Sequence, residues 1–164
     1  MLKSLFIVTF LVAFHGFGQV YLLENEECLF SFKTHHGKTL MIAKDKANDY
    51  LVYRYGSESE VELTYPQSKN NSWNMFYYSS YYRGGGIENS AMDLNYLYFN
   101  IGHYKYVVYD EYHAELNCLF CGIIVINEAK NEKTYINGDR ASVKGSLSAH
   151  FGWDNPVKEG EELF

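Results

Sequence analysis

The chain carries three cysteines, Cys28, Cys118 and Cys121, and thiols are the most reactive groups it has. Cys118-Leu119-Phe120-Cys121 has the spacing of a redox dithiol or of half a zinc knuckle. A redox dithiol needs a helix start behind it, where the helix dipole lowers the thiol pKa. Gly122-Ile123-Ile124-Val125-Ile126 follows instead and reads as a strand. A zinc site needs a second pair of ligands, and Cys28 with His35, His36 or His113 has no recognised metal spacing. The expectation is a disulfide from Cys28 to Cys118 or Cys121, with the remaining thiol buried, and no metal or cofactor. His36-Gly37 and His103 fall at turns and read as surface residues. Acid chemistry fares no better. Asp110 and Glu111 are adjacent on a strand and point to opposite faces, whereas a glycosidase pair must face one cleft at about 5–10 Å. Glu58 and Glu60 share a face but sit beside a turn. The sequence has no Gly-x-Ser-x-Gly elbow, phosphate loop or dinucleotide fingerprint. No catalytic residue is assigned, and a hydrolase using Cys118 or Cys121 beside His113 is the weakest of the readings.

The stretch Tyr77-Tyr78-Ser79-Ser80-Tyr81-Tyr82-Arg83-Gly84-Gly85-Gly86 is the most distinctive in the chain. Tyr and Arg are the residue types enriched at binding hot spots, and three glycines permit left-handed backbone and close approach by another molecule. Tyr81, Tyr82, Arg83, Gly84, Gly85 and Gly86 are therefore the candidate binding residues. The same residues also fit a sharp sheet corner, with Gly for the bend and Tyr for packing. An alternative is a carbohydrate- or small-ligand-binding domain, with Trp73, Tyr77, Tyr81 and Tyr96 as exposed stacking surfaces.

Such residues need elements to hold them, and the pattern from Glu27 onward is that of strands. Period-2 alternation is clear in Asp93-Leu94-Asn95-Tyr96-Leu97-Tyr98-Phe99 and in Tyr104-Lys105-Tyr106-Val107-Val108-Tyr109. Strands are expected at 28–34, 39–43, 50–55, 61–65, 73–82, 93–99, 104–112, 118–127, 133–136 and 142–151. Turn signals such as Asn48-Asp49, Gly56-Ser57 and Asn137-Gly138 separate them. The expected fold is all-β, an antiparallel sandwich or closed barrel of about nine or ten short strands. The acidic tail, 154–164, is expected to stay loose unless Leu163-Phe164 dock.

Residues 1–18 read as a signal peptide: a basic start at Lys3, an apolar run over 5–14, and Gly16-Phe17-Gly18 before Gln19. The run is shorter than the roughly 20 residues that span a bilayer, so residues 19–164 form one periplasmic or secreted domain with no membrane span. The 164-residue chain has a formal net charge of −6, which argues against nucleic acid, whose phosphates call for a basic footprint. An acidic surface suits a basic protein partner.

Tyr50-Leu51-Val52-Tyr53-Arg54-Tyr55-Gly56, Val61-Glu62-Leu63-Thr64-Tyr65-Pro66, Arg83-Gly84-Gly85-Gly86 and Asp93-Leu94-Asn95-Tyr96-Leu97 together resemble a group of small exported bacterial β-proteins. In size and export the chain is also similar to periplasmic lysozyme inhibitors, although it has no Ser-Gly and so no Ser-Gly-x-x-Tyr inhibitory loop. The resemblance brings no activity and no catalytic residues. The acidic surface and the Tyr/Arg anchors lead to the expectation of an exported, non-catalytic binding protein, such as an inhibitor or immunity-type protein, that meets a basic envelope enzyme or toxin.

Overall fold

A computed structural model describes residues 21–152 and 156–163. The expected signal peptide lies outside the described residues. The strands are β1 Glu26–Thr34, β2 Thr39–Asp45, β3 Leu51–Gly56, β4 Val61–Tyr65, β5 Tyr77–Arg83, β6 Met92–Ile101, β7 Tyr104–His113, β8 Cys118–Asn127, β9 Glu132–Gly145 and β10 Lys158–Glu159. One short helix, α1 Leu147–Phe151, precedes β10. The chain is all-β as its alternation requires, but the expected sandwich or closed barrel is here a single curled sheet, an open half-barrel. Its order is β10-β5-β6-β7-β8-β9-β1-β2-β3-β4, antiparallel except where β10 runs parallel to β5.

The curl gives the sheet an inner and an outer face, and cross-strand register stacks the inner side chains in rows. Phe99, Tyr106 and Val125 form one row, and Tyr78, Leu97, Val108, Ile123 and Ile136 the next. Opposite them Leu40, Ile42, Leu51 and Tyr53 complete the main core. Between the edge strands the two sides meet through rings. Tyr65 of β4 stacks on Phe99 of β6 at 4.0 Å, Phe99 stacks on Tyr106 at 5.2 Å, and Phe76 and Tyr53 meet Phe99 edge-on. Aromatic packing bridges the seam that a closed barrel would bridge with backbone hydrogen bonds.

Two expected strands are corrected. Residues 142–151 are not one strand: β9 continues to Gly145, and α1 then turns inward with Leu147 and Phe151 buried in the core. Residues 73–76 are not strand either, because Ser72–Met75 forms a 3-10 turn before β5 begins. Asn137-Gly138 is not a turn but the point where β9 passes from pairing with β8 to pairing with β1. Gly138 serves close packing there, since a Cβ would stand 2.6 Å from both Cys121 Sγ and the Phe32 ring. The tail is docked through β10 on β5, with the Glu161 N–H donating to the Tyr98 hydroxyl at 2.8 Å and Leu163 against the outer aromatic cluster.

The expected disulfide is absent and all three thiols are free. Strand β9 lies between β8 and β1, so Cys28 stands at least two strand spacings, roughly 9.6 Å, from either partner, and the register offsets it further along the strand. A disulfide needs Cα atoms within about 7 Å. Cys118 and Cys121 are an odd number of residues apart on β8 and point to opposite faces.

On the outer face the tyrosines lie along the sheet. Tyr109 covers Gly122, where a Cβ would meet the Tyr109 hydroxyl at 2.3 Å, and it donates to Asn137 Oδ1 at 3.2 Å. The outer face of β1–β3 is covered by the segment leading into β1. Arg54 makes a two-pronged pair with Glu26, 2.6 and 2.8 Å, and also donates to the Tyr21 carbonyl at 2.6 Å.

Candidate functional site

Alternation along β5 divides the candidate binding residues between the two faces. Tyr81 packs outward with Leu94, Tyr96 and Met92 in the outer cluster. Tyr82 points the other way at the end of the strand and is 77% exposed. Arg83 Nε and Nη2 donate to the Ser90 carbonyl at 2.9 and 2.6 Å, so its guanidinium closes the β5–β6 loop. Gly85 and Gly86 have φ of +100° and +68°, which glycine adopts without strain, and Asn89 Nδ2 donates to the Gly84 carbonyl at 2.7 Å. The loop is both a built corner and an exposed one, with Ile87 70% exposed at its tip.

The neighbouring β7–β8 hairpin braces this loop. The Ala114 N–H donates to the Ala91 carbonyl at 2.8 Å, and the Ser90 hydroxyl bonds the Glu115 carboxylate. The brace holds the β7–β8 connection, with Leu116 and Leu119 exposed, at the same end of the sheet as Tyr82 and Ile87, and Phe120 is exposed on the opposite face from Leu119. Register carries a row across four strands there: Tyr82, Asp93, Tyr112 and Leu119. Tyr112 and Leu119 continue into a groove of about 520 Å³ that Asn117, Asp139 and Arg140 also line.

Beneath this row lies a polar one, Ser80, Asn95, Asp110 and Cys121. Asn95 is buried, accepts from the Tyr78 hydroxyl at 2.5 Å and donates to Asp93 at 2.8 Å. Asp110 accepts from Ser146 Oγ at 3.1 Å and from the Leu147 N–H at 3.0 Å, fastening the start of α1 to β7. Burial raises the Asp110 carboxyl above the usual range, and the charges of Asp93 and Glu111 add to this against the two hydrogen bonds. Neither Asp93 nor Asp110 is in an ion pair among the described residues. Burial, then the charges of Asp110 and Asp139, push the Cys121 thiol up to about 11, so it stays protonated near neutrality.

Among the described residues no cysteine is hydrogen-bonded to a histidine. Cys118 and His113 are register partners on the outer face, but His113 Nε2 meets Glu111 at 3.1 Å and its ring stands against Phe120. The Cys118 sulfur instead accepts from Arg140 at 2.9 Å. Of the expected stacking surfaces, Tyr96 is buried with its hydroxyl donating to Glu111 at 2.8 Å, and Tyr77 is stacked on Tyr98 at 5.2 Å. Trp73 is elsewhere, against the β2–β3 turn. Glu58 pairs with Lys33 in solvent at 3.4 Å.

The sequence reading names Tyr82 and does not name Ile87, Leu116, Leu119 or Phe120, which are exposed at the same end of the sheet. Those stand in hairpins whose tips meet only once β6 has paired with both neighbours. Asp93 and Asn95 carried a readable signal: they alternate in phase with Leu97 and Phe99, so the inner face of β6 turns polar at one end. No family model, curated protein or solved structure matches the chain.

Proposed function

We propose that this is an exported, non-catalytic binding protein that grips a basic protein partner, such as an envelope enzyme or a toxin, with the braced hairpin rim. The observation that carries the reading is that Tyr82, Ile87, Leu116 and Leu119 are all exposed at the end of the sheet where the β5–β6 and β7–β8 connections lie, with Phe120 exposed on the other face of β8. Exposed apolar side chains are ordinary when scattered and mark interaction surfaces when they cluster. Glu88, Glu115 and Asp139 are exposed around them, and Asp93 stands in the row with Tyr82. A basic partner would meet apolar anchors inside an acidic border, which speeds encounter and gives specificity. Arg83 acts in this reading as a loop fastener, with Tyr82 as the anchor.

The test compares capture of exported proteins by the wild type and by a Tyr82→Ala/Leu116→Ala variant, followed by affinity measurement on each captured protein. The reading expects a basic partner whose affinity falls at least about tenfold in the variant and whose association slows with salt. Equal binding by both proteins, or a partner indifferent to salt, would refute it.

A further inference from the structure

A second cavity opens away from the rim residues, where α1 and the 3-10 turn Ser72–Met75 meet the β2–β3 turn. It measures about 450 Å³, within the size range of small-molecule sites. Its floor is apolar, made by the buried side chains of Leu29 and Phe151, and Trp73 forms one wall. Polar groups converge from three separate segments: Lys44 and Asn48 from β2 and its turn, Asn74 beside Trp73, and His150 from α1.

One residue organises two of these walls. Asn48 has φ of +65°, and its carbonyl accepts the Trp73 indole N–H at 2.8 Å while its Oδ1 accepts from Lys44 Nζ at 2.6 Å. The aromatic ring and the ammonium group are thus held before anything binds, which lowers the ordering cost of recognition. Lys44 also pairs with Glu27 at 2.8 Å, so its charge is already balanced. His150 is held below its ordinary pKa by burial and then by the Lys44 charge, against Glu27, and is neutral at pH 7. The side chains of Asn74 and His150 make no hydrogen bond among the described residues, which leaves an amide and an imidazole as donors and acceptors.

From this geometry we infer that the cavity binds a small neutral saccharide, with Trp73 against the apolar face of a sugar ring and Asn74 and His150 on its hydroxyls. An aromatic wall with an apolar floor suits the C–H face of a pyranose. Amide and neutral imidazole groups suit uncharged hydroxyls better than a phosphate or carboxylate, because the Lys44 charge is already shared with Glu27. The inference is independent of the rim and its partner.

Titration calorimetry of the full chain with chitotriose, cellotriose and maltotriose, with inorganic phosphate as the anionic arm, tests this. The expected result is saturable binding of at least one trisaccharide, weakened at least about tenfold in Trp73→Ala and in Asn74→Ala and unchanged in Tyr82→Ala. Trp73 packs against the core; should Trp73→Ala not fold, Asn74→Ala and His150→Ala, both exposed positions, decide the matter. No saturable heat with any of the three sugars would overturn the inference. So would binding of phosphate alone, or sugar binding that survives the Asn74 and His150 substitutions.

Discussion

Glu26 shows what a single side chain can demand of its surroundings. Burial would raise its carboxyl, but the Arg54 hydrogen bonds, the Leu23 N–H, the Tyr50 hydroxyl and the Arg54 charge outweigh that and hold it at about 2. Its folded pKa lies below the ordinary 4.5, so this contribution is fully present above pH 4.5 and is lost as pH falls through about 2. The gap is worth about 3 kcal/mol. Arg54→Leu leaves the buried Glu26 carboxylate with only the more distant Lys69, at 3.7 Å, as counter-charge and is expected to cost about 3–5 kcal/mol at pH 7, read from urea unfolding midpoints. Burial then dominates, so the variant should lose less stability on acidification from pH 7 to pH 3 than the wild type; an unchanged pH profile would contradict the assignment. Gly138 is a second position fixed by its neighbours. Gly138→Ala drives a methyl into Cys121 and Phe32 and is expected to destabilise by about 1–3 kcal/mol in the same assay.

Among the elements, β9 does the most to separate groups that sequence alone would join. By lying between β8 and β1 it keeps Cys28 from both other thiols. The mass of the non-reduced protein should equal that of the reduced one. A thiol reagent should label Cys28 and Cys118 in the native state and reach the buried Cys121 only on unfolding. A native Cys28–Cys121 or Cys28–Cys118 crosslink would require a different strand order. The expectation of a disulfide failed because spacing along a chain says nothing about which strand stands between two others. The strands themselves are legible: 61–65 and 118–127 match their expected limits, because Val61, Leu63 and Tyr65 alternate with polar residues and 118–127 is a nearly continuous apolar run bounded by asparagines. The expected strand at 142–151 differs from the structure because Leu147 and Phe151, four residues apart, share a face on a strand and on a helix alike, so their spacing does not distinguish the two.

For the whole molecule the decisive feature is a seam bridged by rings. Phe99 touches Tyr65, Phe76, Tyr53 and Tyr106, so it joins one edge of the sheet to the middle of the other half. Phe99→Ala is expected to cost about 3–5 kcal/mol, at the upper end for a core truncation, and to lower the cooperativity of unfolding. Tyr82→Ala and Leu116→Ala at the exposed rim should each change stability by no more than about 0.5 kcal/mol. A large loss of stability in either rim variant would mean that these side chains serve the fold.

The sequence determined that residues alternate, that the alternating stretches are rich in tyrosine, and that no long stretch has sustained helical spacing; these are local properties of neighbouring residues. It also marked Tyr82 to Gly86 as a loop built on glycine. Only the tertiary structure decided that the sheet curls without closing, that the thiols stay apart, and that Tyr82 and Leu119 fall in one row at the end of the sheet. The reason is physical: strand order and register set which distant residues become neighbours, and they follow from packing the whole inner face at once.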